Sequence, residues 1–419
     1  VAASGLLLEA GVAARTERSR THVLSLVLGV LTLAAFCSDA RTGAEESVEP
    51  EGRADAVEEA RFRFVYYDQD GFGYQSAAPP QPLGSEYLQV FEPMFYLRAR
   101  QNERVTHTVT VPVDIITSAS TDAVDITTSA SRHNEAGTLQ VDTVVQQTPN
   151  DELKFTYGGH GEEWFASAFA GFGYTRDLAQ DNATVGVRVD GSFDWFKAYG
   201  PWPGAVYPDG NKFNTRANLG GSVELSQILN ARTWVKGGYG ITWNQGDLSI
   251  PWNSVPFLCD AEVTQCSARV QEIFPRTRLR QNVSGLLVHY VPRTKTTARL
   301  SYRFYFDDYR VRAHTILAEA YQALGERVLF SALYRMHRQT AVSFWTRSLS
   351  LSEFDLSTPR TADSDLAEFW AHKWGVKLLF HLTPPGRGRQ HDIDLYFNRY
   401  TRTNNLRVNV MSFGYGYTF

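Results

Sequence analysis

Residues 405–419 read NLRVNVMSFGYGYTF, and within them Met411, Phe413, Tyr415, Tyr417 and Phe419 alternate with Ser412, Gly414, Gly416 and Thr418. A two-residue period sends successive side chains to opposite faces of a strand. One face here is greasy and aromatic, the other small and polar. The same alternation recurs in Val185, Val187, Val189, Phe193 and Trp195 against Arg188, Asp190, Ser192 and Asp194. It returns in Val235, Tyr239, Ile241 and Trp243 against Lys236, Gly238, Gly240 and Thr242. Strands of soluble sandwiches run to roughly 5 or 6 residues. These runs are about twice as long, which matches the 9 to 11 tilted residues that cross a bilayer. The fold class read from this pattern is all-β, a transmembrane antiparallel up-and-down β-barrel.

The pattern gives about fourteen strands, at 61–68, 86–99, 103–117, 159–177, 182–198, 212–227, 231–246, 274–292, 295–309, 312–323, 327–345, 365–382, 389–401 and 405–419. Twelve or sixteen also fit. The connections supply a second argument, because outer-membrane barrels have short periplasmic turns and longer outer loops. Every second connection is short, as at Gln101-Asn102, Arg293-Thr294 and Leu324 to Glu326. The intervening ones, 69–85, 118–158, 199–211, 247–273 and 346–364, are mostly long, with tight exceptions at 309–311 and 402–404. The 118–158 connection contains an echo, VDIITSAS at Val113 to Ser120 and VDITTSAS at Val124 to Ser131. Two readings stand for it: a constriction loop or plug inside the barrel, and an extra hairpin above the membrane.

The barrel is expected over 61–419. Ahead of it, Arg15, Arg18 and Arg20 precede the apolar run VLSLVLGVLTLAAF, Val23 to Phe36. Small residues follow around Ser38 and Ala40, so 1–40 reads as a cleaved signal peptide. The run falls short of the roughly 20 residues of a membrane anchor, and bulky Phe36 before Cys37 argues against a lipoprotein. No Met precedes Met94, so translation from a later Val such as Val12 is expected. Residues 41–60, with Glu45, Glu46, Glu49, Glu51, Asp55, Glu58 and Glu59, read as a disordered acidic periplasmic tail. After removal of the signal, only Cys259 and Cys266 remain, close in sequence and suited to a loop disulfide in an oxidising compartment.

Four pieces resemble a family of bacterial outer-membrane barrel proteins known only as a domain of unknown function. They are VDIITSASTDAV (Val113 to Val124), FPRTRLRQNVSGLLVHYVP (Phe274 to Pro292), ARLSYRFYFDDYRVRAHT (Ala298 to Thr315) and LYRMHRQTAVSFW (Leu333 to Trp345). The resemblance covers about residue 60 to Phe419, and YRFYFDDY is its most specific part. It implies a barrel in the outer membrane of a Gram-negative bacterium; it brings no substrate, cofactor or catalytic set.

The final strand carries the clearest functional signal. Phe413, Tyr415, Tyr417 and the terminal Phe419 form the alternating aromatic pattern read by the barrel assembly machinery, an expected partner together with outer-membrane lipids. If the greasy face meets lipid, the other face lines the lumen. That face holds Arg188, Arg216, Lys236, Arg276, Arg278, Arg280, Arg299, Arg303, Arg335, Lys373 and Lys377. Against them stand Asp190, Asp194, Glu224, Asp307, Glu319, Asp392 and Asp394. The surplus is basic. Arg276, Arg278 and Arg280 share one wall, where their repulsion calls for acids, water or a small anionic solute. Two readings follow: an anion-attracting pore, or a salt-bridge network filling a narrow barrel.

Chemistry of other kinds has little support. The formal net charge of −4 points to no nucleic acid. His160 beside Glu162 and Glu163 reads as a solvated strand end. His372 and His381 are an odd number of residues apart and fall on opposite faces. His314 and His337 are expected to face inward, without zinc-type spacing. Asp307-Asp308 with Asp114, Asp122 and Asp125 offers calcium ligands, against ordinary polar loops. No nucleophile, phosphate-loop or dinucleotide motif is present. No enzyme and no cofactor are expected. The expected function is passage of small solutes with mild anion preference. A filled barrel anchoring an exported multiprotein system is the alternative, and a lipid-acting barrel enzyme a distant third.

Overall fold

The computed structural model describes residues 56–71, 87–119, 135–162, 165–197, 213–249, 254–260, 266–353, 355, 357–384 and 389–419. The expected signal peptide and residues 41–55 of the expected acidic tail lie outside them. The strands are β1 (Ala56–Asp70), β2 (Leu88–Asn102), β3 (Val105–Ala119), β4 (Glu135–Thr148), β5 (Asp151–Gly161) and β6 (Phe165–Leu178). They continue with β7 (Ala183–Lys197), β8 (Phe213–Asn230), β9 (Thr233–Gly246), β10 (Ser254–Cys259), β11 (Cys266–Gln271) and β12 (Thr277–Val291). The last six are β13 (Thr296–Asp307), β14 (Arg312–Leu324), β15 (Val328–Gln339), β16 (Phe369–His381), β17 (Gln390–Arg402) and β18 (Arg407–Thr418).

Sixteen of these form one closed antiparallel barrel in sequence order, with β9 pairing β12 because the β10–β11 hairpin stands outside the wall. Closure joins β1 to β18 in register from Glu59↔Thr418 to Asp70↔Arg407. Phe419 extends the seam, its amide donating to the Glu58 carbonyl at 3.0 Å. Backbone groups in hydrocarbon have no water to bond, so only a closed cylinder satisfies every strand. Among the described residues, no helix is long and apolar enough to cross a membrane; the chain crosses with strands.

Two expectations are corrected. The barrel has sixteen strands, because residues 135–158 of the expected 118–158 loop belong to the hairpin β4–β5 within the wall, whose second strand runs on through 159–161, the start of the expected strand 159–177. They are neither a plug nor a hairpin above the membrane. Thr138, Gln140 and Asp142 face inward and Leu139 outward, an alternation short of large apolar residues. Residues 120–134, with the whole second copy of the echo, lie outside the described residues. The acidic tail is also shorter than expected: β1 begins at Ala56, and Glu58 pairs with Arg98 and Arg100 of β2.

The outward rows are apolar as the period demands. Leu219, Val223, Leu225, Val283, Leu300, Val376 and Met411 all point out and are exposed. Trp195, Trp243, Tyr302, Tyr334, Trp370 and Trp374 ring the end with long connections, and Tyr290, Tyr415 and Phe419 ring the other. Aromatic girdles at both interfaces bracket a lipid-facing band. The short turns, such as 103–104, 149–150, 231–232 and 325–327, share the end that holds the start of β1 and the end of β18. That end is periplasmic by the loop-length rule.

At the outer end, β10–β11 and the described residues between 340 and 368 build a folded cap over the tips of β9 and β12–β16. Cys259 and Cys266 are disulfide-bonded across the hairpin. Leu349 pairs with the hairpin through Leu258 N–H to Leu349 O at 3.0 Å and Leu349 N–H to Pro256 O at 2.9 Å. Tyr309, Val311 and Val342 form a buried cluster against Phe274, Phe344, Trp345 and Leu366. Behind it, Thr361 donates to the buried Glu272 carboxylate at 2.5 Å. Asp363 caps the short turn Ser364–Leu366 by accepting from Asp365 N–H at 2.8 Å. Burial, and then the charges of Asp365 and Glu272, push the Asp363 carboxyl well above its ordinary 3.8.

A proton held more tightly when folded stabilises the cap below pH 3.8, and this contribution fades as pH rises above that value. Protection factors of the described amides between 340 and 368, that is, exchange corrected for its intrinsic base-catalysed rate, are therefore expected to fall from acidic to neutral pH, and Asp363→Asn, which keeps the cap but carries no charge, to flatten that dependence. An unchanged slope in the variant would remove Asp363 as its source. Packing makes a second prediction. A Cβ on Gly158 would lie 2.1 Å from the Leu139 carbonyl oxygen and 2.6 Å from the Phe169 ring, whereas one on Gly137 meets nothing within 4 Å. Gly158→Ala is expected to cost about 1–3 kcal/mol in urea unfolding of the folded barrel. Gly137→Ala should be nearly neutral.

Candidate functional site: the charged lumen

The inward rows place acids and bases on neighbouring strands. Arg216 Nε donates to Asp194 at 2.6 Å, and Asp194 also accepts from Ser167 at 2.6 Å and Asn218 at 3.1 Å. Lys236 meets Glu224 at 2.8 Å and Lys154 meets Asp142 at 3.3 Å, while within β7 itself Arg188 meets Asp190 at 3.2 Å. Arg299 approaches Glu319 at 3.6 Å. Asp394 takes two cations, Lys377 at 3.4 Å and, across the closure seam, Arg63 at 3.2 Å. His381 holds Asp392 at 2.6 Å. Much of the wall is thus a cross-strand ion-pair network, set by a register that brings oppositely charged neighbours together.

The arginine ladder is not one unit. Arg276 stands just before β12 and is exposed, and its carbonyl oxygen accepts from Gly246 N–H at 2.9 Å. Arg278 is spent. Its Nε donates to Asp307 at 2.9 Å, and its guanidinium lies 4.6 Å from the centre of the Tyr309 ring. The Asp307 side chain is fully buried and also accepts from Tyr305 at 2.8 Å and from Val311 N–H at 2.9 Å. Arg280 sits directly opposite Asp307 in the β12–β13 register, yet its Nε is buried without a hydrogen-bond partner.

Further surplus cations lie along β13, β15 and β16. Among the described residues, no carboxylate comes within ion-pair distance of Arg303, Arg335 or Lys373, and Arg335 and Lys373 face each other directly across β15 and β16. Directly opposed like charges destabilise a sheet, unless water or an anion stands between them. Arg303 and Arg335 border a cavity of about 350 Å³ with Ser284, Thr315 and Leu317. On the far side of the barrel, Glu92 of β2 and Asp114 of β3 likewise have no cation at ion-pair distance among the described residues.

The histidines divide by face. His337 is inward and bonds Thr315 at 2.8 Å. His314 is outward, contrary to expectation, and bonds Tyr302 at 2.7 Å. His372 reaches outward Tyr334 at 2.8 Å, on the face opposite to His381. His160 bonds Thr138 at 2.8 Å. The calcium reading loses Asp307 to Arg278, while Asp122, Asp125 and Glu163 lie outside the described residues. Phe413 and Tyr415 face outward on β18, and Tyr417 and Phe419 meet edge to face at 4.5 Å. The unpaired state of Arg280 was not legible in sequence, since it depends on which of two arginines reaches Asp307.

Among solved structures, the chain is similar to outer membrane protein OpdK from Pseudomonas aeruginosa, at 9% identity over 86% of this chain and 98% of that one, TM-score 0.40. It is similar to a BenF-like porin from Pseudomonas fluorescens Pf-5, at 8% identity over 87% and 99%, TM-score 0.38. It is also similar to the ferric enterobactin receptor PfeA of Pseudomonas aeruginosa, at 12% identity over 83% of this chain and 54% of that one, TM-score 0.41. No curated protein matches the sequence. Closure, the apolar outer band and paired aromatic girdles are the architecture of an outer-membrane protein. The sequence model of one family, described as "Protein of unknown function (DUF3570)", matches residues 137–415, and the chain belongs to that family.

Proposed function

We propose that the barrel passes small solutes across the outer membrane with a mild preference for anions. The observation that carries this reading is the set of uncompensated cations, Arg280, Arg303, Arg335 and Lys373, on one sector of the inner wall. A dry, filled interior does not hold such groups, because an unpaired buried charge costs several kcal/mol. The opposed pair Arg335 and Lys373 calls for a hydrated lumen. A sixteen-stranded cylinder has room for one. Rings and clusters of Arg and Lys raise the local concentration of anions over cations.

Folded protein reconstituted in a planar bilayer is expected to give steady conductance, with a reversal potential under a potassium chloride gradient that favours chloride. Replacing Arg303, Arg335 and Lys373 together by Gln is expected to lower the chloride-to-potassium permeability ratio about twofold or more. A folded barrel that carries no current would overturn passage in favour of a scaffold. Current with unchanged selectivity in the triple variant would take these residues off the path.

A further inference from the structure

A second cavity, of about 400 Å³, lies where the cap meets the outer end of the lumen. Arg278, Arg280, Phe274, Tyr309, Asn218 and Asn244 line it, so it combines what the barrel wall and the cap each supply. Its size falls within the range of small-molecule sites.

The polar wall has one open cation and one open acceptor. Arg278 is committed to Asp307 and to the Tyr309 ring. Arg216, also at the cavity, is committed to Asp194. Asp307 receives Arg278, Tyr305 and the Val311 amide, and no hydrogen bond joins it to Arg280 although the two residues are paired in register. Arg280 Nε is buried and unpartnered, and so is Asn244 Oδ1. The other end of the Asn244 amide donates to Asn218 Oδ1. Leaving such groups unpaired is unfavourable, and a carboxylate answers a guanidinium with two parallel bonds. The apolar wall comes from the cap: Phe274 and Tyr309 stand edge to face, their ring centres 6.2 Å apart, beside Leu248.

We propose that this cavity binds a small aromatic carboxylate, its acid group on Arg280, its ring against Phe274 and Tyr309, and a ring hydroxyl, where one is present, donating to Asn244. The inference deepens the passage reading and rests on it for the ligand's route to the site. An inorganic anion leaves the aromatic wall unused. A neutral aromatic leaves Arg280 unpaired, and an aliphatic acid forgoes the ring contacts that stacked or edge-to-face geometry provides.

Titration calorimetry on the folded barrel in detergent tests the site without reference to conductance, using benzoate, 4-hydroxybenzoate, acetate, inorganic phosphate and benzyl alcohol. Benzoate is expected to bind about tenfold or more tightly than acetate, phosphate or benzyl alcohol, and 4-hydroxybenzoate more tightly than benzoate. Arg280→Gln should weaken benzoate about tenfold or more, as befits a lost charge-assisted bond. Arg280→Lys, which keeps the charge without the planar fork, should fall between, and Arg188→Gln, outside the cavity, should change nothing. Equal binding of benzoate and benzyl alcohol, or full affinity in a folded Arg280→Gln barrel, would overturn the site. Should that variant fail to fold, the wild-type ranking of the five probes decides alone. A barrel that conducts without binding benzoate refutes the site and leaves passage standing; one that binds without conducting refutes passage and leaves the site.

Discussion

Pairing of β1 with β18 is the interaction on which the rest depends. A sheet in hydrocarbon cannot leave an edge, since each unpaired backbone group there costs several kcal/mol. The twelve residue pairs of this seam, from Glu59↔Thr418 to Asp70↔Arg407, remove both edges at once. They also fix what the side chains do. Once the cylinder closes, the two faces of every strand become two different solvents, lipid outside and an enclosed interior within. Phe62, Phe64 and Tyr66 of β1 face the same side as Tyr415, Phe413 and Met411 opposite them. Arg63 falls on the inner side, where it reaches Asp394 from the far end of the sequence.

Closure of the backbone does not close the charge ledger inside. Along β6 to β9 the register sets Asp194 beside Arg216 and Glu224 beside Lys236. On β12 to β16 it does so only in part: Arg278 has Asp307 and Arg299 has Glu319, but Arg280 Nε has no partner, and Arg335 meets Lys373. Like charges so placed are a standing cost to the folded state, small in a wet lumen and prohibitive in a dry one. Hydration is therefore a structural requirement of this sector.

Two-residue alternation made the outer face legible wherever the outward residues were large. β7, β9 and β18 carry aromatic or β-branched side chains at nearly every outward position, and the sequence locates all three to within a few residues. β4 and β5 escaped because their outward residues include small or polar ones, Thr143 and Gly159, and because the repeat ahead of them suggested a loop. The Pro149-Asn150 turn between them was the available signal. Charge pairing was far less legible. Arg63 and Asp394 are 331 residues apart and meet only through the seam, and Arg278 and Asp307 are diagonal partners whose contact requires the β12–β13 register.

The surplus charges also have a direction. In barrel order, β3 stands eight strands from β13, diametrically across the cylinder. The unpaired acids Glu92 and Asp114 lie on β2 and β3, and the unpaired bases on β12, β13, β15 and β16. A low-dielectric wall with opposite surpluses on opposite sides focuses a field across its bore. A small zwitterion or a polar acid in such a field is oriented before it is bound. The basic side is also the side roofed by the cap, whose Phe274 and Tyr309 stand beside Arg278 and Arg280. Orientation by the field would thus turn an acid group toward the sector where Arg280 and the aromatic wall occur together.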